Sequence, residues 1–103
     1  MRPDSPWYIT AAAVREYAAI LGLLSPSDAD FDRCEDELVT IARAAKFVLL
    51  RDNGTLQYSG AVPSESRKFM KIREHRLVLI VSTAQRKEGP LPQLVAVAQR
   101  GAK

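Results

Sequence analysis

The period of polar and apolar positions changes once along the chain, near residue 46. Before that point apolar residues recur mainly at helical spacing. Trp7-Tyr8-Ile9-Thr10 is aromatic and β-branched and predicts a short strand. Thr10 then stands where a hydroxyl can cap a helix. Ala13, Tyr17, Ile20, Leu21 and Leu24 follow at helical intervals, with Arg15 and Glu16 off that face. Gly22 marks the end of the helix or its last turn. Ser25-Pro26-Ser27-Asp28 is a restart signal, with a capping residue, an early proline and then acids. A second helix is expected over about 28–45. Its buried stripe is Phe31, Cys34, Leu38, Ile41 and Ala45. Acids crowd its start, and Arg43 and Lys46 sit at its end, as the helix dipole favours.

After residue 46 the spacing is that of strands. Lys46-Phe-Val-Leu-Leu-Arg51 predicts one strand and Thr55-Leu-Gln-Tyr-Ser59 the next, joined by Asp52-Asn53-Gly54, a tight-turn signal that needs positive φ. Residues 60–65 are expected as a loop. Residues 67–75 read equally as a short strand or an ordered loop. Arg76-Leu-Val-Leu-Ile-Val-Ser-Thr83 is the most apolar run and predicts the central strand. A polar loop over 84–92 leads to a last strand over 93–98.

The expected architecture is α+β: two N-terminal helices packed on a mostly antiparallel β-sheet, in the order β-α-α-β-β-β. Residues 1–6 are expected as a flexible arm, 7–98 as a single domain and 99–103 as a frayed tail.

At 103 residues with 47% hydrophobic and 26% charged side chains, the composition is that of one globular domain. No apolar run approaches the roughly 20 residues of a membrane-spanning helix. The first residues lack the apolar core and cleavage site of a signal peptide. Cys34 is the lone cysteine, so no disulfide forms within the chain. A reducing cytoplasm is the expected location.

Charge divides unevenly. Residues 1–45 carry −4 and residues 46–103 carry +7. Such asymmetry points to a polyanionic partner for the basic half, or simply to a solubilised surface. Six acids fall within residues 28–37. Asp28-x-Asp30-x-Asp32 lacks the glycine and distal glutamate of a calcium loop, and one Cys with one His gives no zinc set, so no metal site is expected. No cofactor is expected either, because phosphate-cradling glycine loops and dinucleotide fingerprints are missing.

The element order and length, over residues 7–98, resemble the RelE/ParE toxin group, which includes barnase-like and colicin-like ribonuclease domains and many small phage and mobile-element proteins. A local likeness adds to this. Some small proteins of the group open with Ile-Thr-x-His-Ala-x-x-Arg, and residues 9–16 here read Ile-Thr-Ala-Ala-Ala-Val-Arg-Glu. Ala12 stands at the histidine position. That departure fits a non-catalytic relative, a substitution at Ala12 or a chance likeness.

The resemblance implies a cationic cleft that grips RNA. Proton transfers would come from a Lys, Tyr, His or Glu near the scissile phosphate. The supply is Arg67-Lys68-Phe69-Met70-Lys71-Ile72-Arg73-Glu74-His75-Arg76. His75 and Glu74 are the candidate catalytic pair. Arg67, Lys68, Lys71, Arg73, Arg76, Arg86 and Lys87 are candidate nucleic-acid contacts, and Phe69 is a candidate base-stacking platform. If extended, residues 69–73 place Phe69, Lys71 and Arg73 on one face. The same stretch also reads as a solvated basic edge that discourages sheet pairing, or as a contact for an acidic host protein surface.

Two functions follow. One is a small binding protein that contacts RNA, DNA or a host protein. The other is a metal-independent, RelE-like endoribonuclease. The missing histidine at position 12 favours binding, and the basic half favours RNA. An exposed apolar strand edge would favour the binding protein, with a homodimer as one form. Membrane association is not expected.

Overall fold

Thr10 is the junction of the fold. A computed structural model describes residues 5–67, 76–84, 90 and 92–99. In it the Thr10 hydroxyl accepts from the Ala13 N–H at 3.3 Å and donates to the Leu94 carbonyl at 2.8 Å. One side chain therefore caps the first helix and ties it to the last strand. The order is β1 (Tyr8–Ile9), α1 (Ala11–Ile20), α2 (Asp28–Ala44), β2 (Lys46–Leu50), β3 (Leu56–Ala61), α3 (Ser64–Arg67), β4 (Arg76–Ser82) and β5 (Gln93–Gln99). The strands form one mixed sheet in the order β1-β5-β4-β3-β2. β1 runs parallel to β5, and the other neighbours are antiparallel. The most apolar run, now β4, is central as expected.

The α+β class agrees with the expectation, while the finer order differs. The sheet has the five strands read segment by segment, one more than the order β-α-α-β-β-β names, and α3 interrupts the run of strands. Gly60 and Ala61 extend β3 by pairing with Leu77 and Arg76, so the expected loop begins later. α3 replaces its end, where Ser66 N–H reaches the Pro63 carbonyl at 2.9 Å. Leu24, expected on the buried stripe, is 90% exposed. The cause is Gly22, whose φ of +84° ends the helix just after Leu21 and turns the chain. Ala13, Val14, Tyr17 and Ala18 form the buried face of α1 instead. α2 starts at a reciprocal cap between Ser27 and Asp30, at 3.1 and 3.2 Å. It buries Cys34, Leu38 and Ile41 as expected, together with Val39 and Ala42.

The core lies between the helices and one face of the sheet. Leu77, Leu79, Val81, Leu94 and Val97 are buried with the helix residues. Cross-strand partners share a face, so Tyr58, opposite Leu79, and Gly60, opposite Leu77, also look toward the helices. Gly60 permits the close approach of α2: a Cβ there would stand 2.5 Å from Ile41 Cγ2. Trp7 is buried, as its size leads one to expect, and packs on Tyr58 with ring centroids 4.7 Å apart. The Asp52-Asn53-Gly54 turn forms as expected, with Gly54 at φ +84°.

Candidate functional site

Most of the basic strip lies outside the described residues. This holds for Lys68, Phe69, Lys71, Arg73, Glu74 and His75, and for Arg86 and Lys87. Residues 1–4 of the arm and 100–103 of the tail lie outside them as well. The two described members are engaged internally. Arg67 donates from Nε to the Val62 carbonyl at 2.8 Å. Arg76 donates from Nε and Nη2 to the Ser59 hydroxyl at 3.0 and 2.9 Å. Arg67 ends α3 and Arg76 begins β4, so the structure places one at each end of the strip.

A polar cluster unites the three helices. Glu37 Oε1 accepts from the Tyr17 hydroxyl at 2.6 Å and from the Ser66 hydroxyl at 2.7 Å. Arg33 Nε lies 3.9 Å from Glu37 Oε2. A cleft of about 440 Å³ opens beside this cluster, lined by Arg33, Asp36, Glu37, Thr40, Pro63, Glu65 and Ser66. Burial, and then the Glu37 carboxylate, push the Tyr17 phenol well above its usual range. Burial, and then the same carboxylate, also raise the Cys34 thiol. Cys34 is therefore held as the neutral thiol, a small apolar side chain and not a nucleophile. Ser66 is buried and donates its hydroxyl proton to a carboxylate, a weak base for activating a hydroxyl. The cluster is a clasp holding α1, α2 and α3 together. Among the described residues no three His, Cys, Asp or Glu side chains converge as a metal would require.

The remaining feature is β2. It forms the free edge of the sheet, and its substantial contacts are with β3 alone. All five of its residues are exposed. Four consecutive large apolar side chains face solvent: Phe47 at 56%, Val48 at 46%, Leu49 at 42% and Leu50 at 64%. Phe47 pairs with Tyr58 and Leu50 with Leu56, so these two lie on the helix side, while Leu49, opposite Gln57, lies on the other. The strand projects beyond the helix layer with both faces open. A register shift between Phe47 and Leu49 leaves Val48 as an extra residue.

Behind β2 lies a second cleft, of about 410 Å³, lined by Ser5, Pro6, Trp7, Ala42, Arg43, Ala45 and Tyr58. The Phe47 ring meets Tyr58 edge-on at 5.7 Å. Trp7, Tyr58 and Phe47 thus form a continuous aromatic row from the core to the edge strand. Exposed apolar surface of this kind, rimmed by polar groups, marks interaction sites. Aromatics and arginine are also the side chains that most often anchor protein interfaces.

The sequence reading missed both features. An unbroken apolar run ordinarily means a strand covered on two sides. The contrary signal was the pair of cations, Lys46 and Arg51, bracketing the run. Glu37 was hidden among the acids of its helix. Comparison with protein-family models, curated proteins and solved structures finds no match to this chain, so these surfaces carry its functional reading.

Proposed function

We propose that this chain is a small binding protein whose partner is another protein, engaged through β2. The observation that carries this reading is the edge strand with four exposed apolar side chains beside an aromatic cleft. Natural sheets blunt such edges with charges and bulges, and β2, though bulged at Val48 and flanked by Lys46 and Arg51, still exposes four apolar side chains. The lone, buried Cys34 supports a reducing compartment such as the cytoplasm. No helix among the described residues is long and apolar enough to cross a membrane.

Catalysis receives less support. Tyr17, Glu37 and Ser66 satisfy one another, and Arg67 and Arg76 are spent on internal acceptors. The ribonuclease reading rests on residues 68–75 and on the basic half.

Two experiments test the proposal. A photo-reactive phenylalanine analogue at position 47 is expected to give a crosslinked adduct in cells, while the same group at exposed Leu24 gives none. The chain is also incubated with labelled RNA and DNA at two salt concentrations, beside Lys71→Ala/Arg73→Ala and His75→Ala variants. RNA cleavage lost in His75→Ala, or salt-sensitive binding lost in the double variant, would overturn the protein-partner reading in favour of nucleic acid.

A further inference from the structure

We infer that β2 and the cleft behind it receive an extended peptide segment of the partner protein, apolar at its centre and acidic at its ends. This rests on the reading above and names the chemistry of the occupant. Main-chain pairing is available at the edge. Arg51 N–H donates to the Thr55 carbonyl at 2.8 Å, facing β3. Antiparallel alternation then turns the Leu50 N–H and carbonyl outward, toward an added strand. Apolar contact is available on both faces of that strand, from Phe47 and Leu50 on one side and Leu49 on the other. The neighbouring cleft, floored by Trp7 and Tyr58, has room for one large side chain of the peptide.

Charge defines the ends. Lys46 and Arg51 bracket the four apolar residues, and Arg43 lines the cleft. Among the described residues none of these three cations has an ion-pair partner. Because Val48 is an extra residue, Lys46 and Arg51 are spaced as Ser59 and Thr55 are on β3, four steps or about 14 Å at the rise of a strand. An extended segment with acids about four or five residues apart therefore comes within reach of both long side chains.

The same charges argue against a second copy of the chain. The antiparallel register that overlaps the four apolar residues sets Lys46 of one copy opposite Arg51 of the other, at both ends. Like charges directly opposite one another destabilise a strand pair. The exposed apolar area of β2 is on the order of 300–400 Å², whereas a stable interface buries about 800 Å² per partner. A strand-adding peptide needs less area, because main-chain hydrogen bonds supply part of its affinity.

The test uses a fluorescent eight-residue peptide of two glutamates, four β-branched apolar residues and two glutamates, with a counterpart carrying lysines at both ends. The glutamate peptide is expected to bind at least tenfold more tightly, and more weakly as salt rises. Lys46→Glu/Arg51→Glu, which changes only exposed positions, should invert that preference. Leu50→Pro removes an outward N–H and should abolish binding while the thermal melt stays cooperative. Equal binding of the two peptides, or no binding of either, would overturn the inference. So would a monomer–dimer equilibrium strengthened by the charge reversal of Lys46 alone, which would assign the edge to a second copy. If peptide binding fails while the position-47 crosslink persists, the peptide chemistry is wrong and contact through β2 stands.

Discussion

Glu16 of α1 accepts a hydrogen bond from the Val97 N–H of β5 at 2.8 Å. The reason is the brevity of β1. It pairs with Gln93 and Leu94 and then stops, leaving the rest of that side of β5 without a strand. A carboxylate takes the place that the next carbonyl of a longer β1 would hold. One flank of the sheet is thus closed by a side chain, while β2 on the opposite flank is left open.

Loss of that carboxylate should be costly for one side chain. Glu16→Ala leaves the buried Val97 N–H without its acceptor and should destabilise the fold by about 1–3 kcal/mol. Glu16→Gln keeps an acceptor oxygen and should lose less. Urea unfolding measures both, and amide exchange at Val97 should quicken in the alanine variant. Equal stability of wild type and Glu16→Ala would remove this role.

Gly60→Ala should destabilise the fold by about 1–3 kcal/mol, the usual cost of overpacking. The added methyl would meet Ile41 Cγ2 at 2.5 Å and Leu79 Cδ1 at 3.2 Å. Ile41→Ala removes the first obstacle, so the double variant should be more stable than the sum of the single losses implies. Strict additivity in a double-mutant cycle would show that Gly60 has another purpose.

The clasp predicts an alkaline limit. The Tyr17 phenol is raised in the folded chain, first by burial and then by Glu37. Unfolded, it ionises near the usual value of about 10. Below that pH both states hold the proton, so this group adds no pH dependence to stability. Above it the unfolded chain releases the proton while the folded chain keeps it, so stability falls as pH rises. Tyr17→Phe should cost about 1 kcal/mol at neutral pH and lose less stability than wild type between pH 9 and 11. Parallel pH curves for the two proteins would contradict the assignment.

Cys34 should react slowly with a thiol reagent at pH 8. It is fully buried, and its thiol is raised by burial and by Glu37. In denaturant the reaction should become fast. A native rate matching the denatured one would mean that α2 opens readily.

Leu50→Ser should change stability by less than about 1 kcal/mol, and Phe47→Ser should cost about 1–2 kcal/mol, because the Phe47 ring also packs edge-on against Tyr58. The crosslinking and peptide experiments above therefore probe binding in folded protein. A large loss in chemical denaturation would show that β2 is part of the core.

What was readable in the chain was whatever local chemistry decides. Thr10 acts as a helix cap and Gly54 shapes the hairpin, because a hydroxyl or a positive φ is needed within a few residues. The restart signal also marks a helix start, but the cap is Ser27, so Pro26 precedes the helix instead of entering its first turn. The stripe of α2 was readable because Cys34, Leu38 and Ile41 obey one period. Leu24 defeated the same reasoning: Gly22 ends the helix before the period reaches it. Glu37 and Ser66 meet only because α3 folds back over α2, which no local pattern announces. The exposure of Phe47 and Leu50 depends on where the helix layer stops, and that is a property of the whole assembly.

The β1–β5 pair also sets an order of events during synthesis. Tyr8 and Ile9 find their partners in Gln93 and Leu94, near the other end of the chain. The hydroxyl of Thr10 also waits for this segment before it can donate, since Leu94 supplies the carbonyl it donates to. While the ribosome is still making the middle of the chain, the two long helices and the β2–β3 hairpin have most of their local contacts available. The first strand has no strand to pair with until β5 is made. Nascent chains cut short before Gln93 should therefore carry a protease-sensitive beginning, and completion of β5 should protect it.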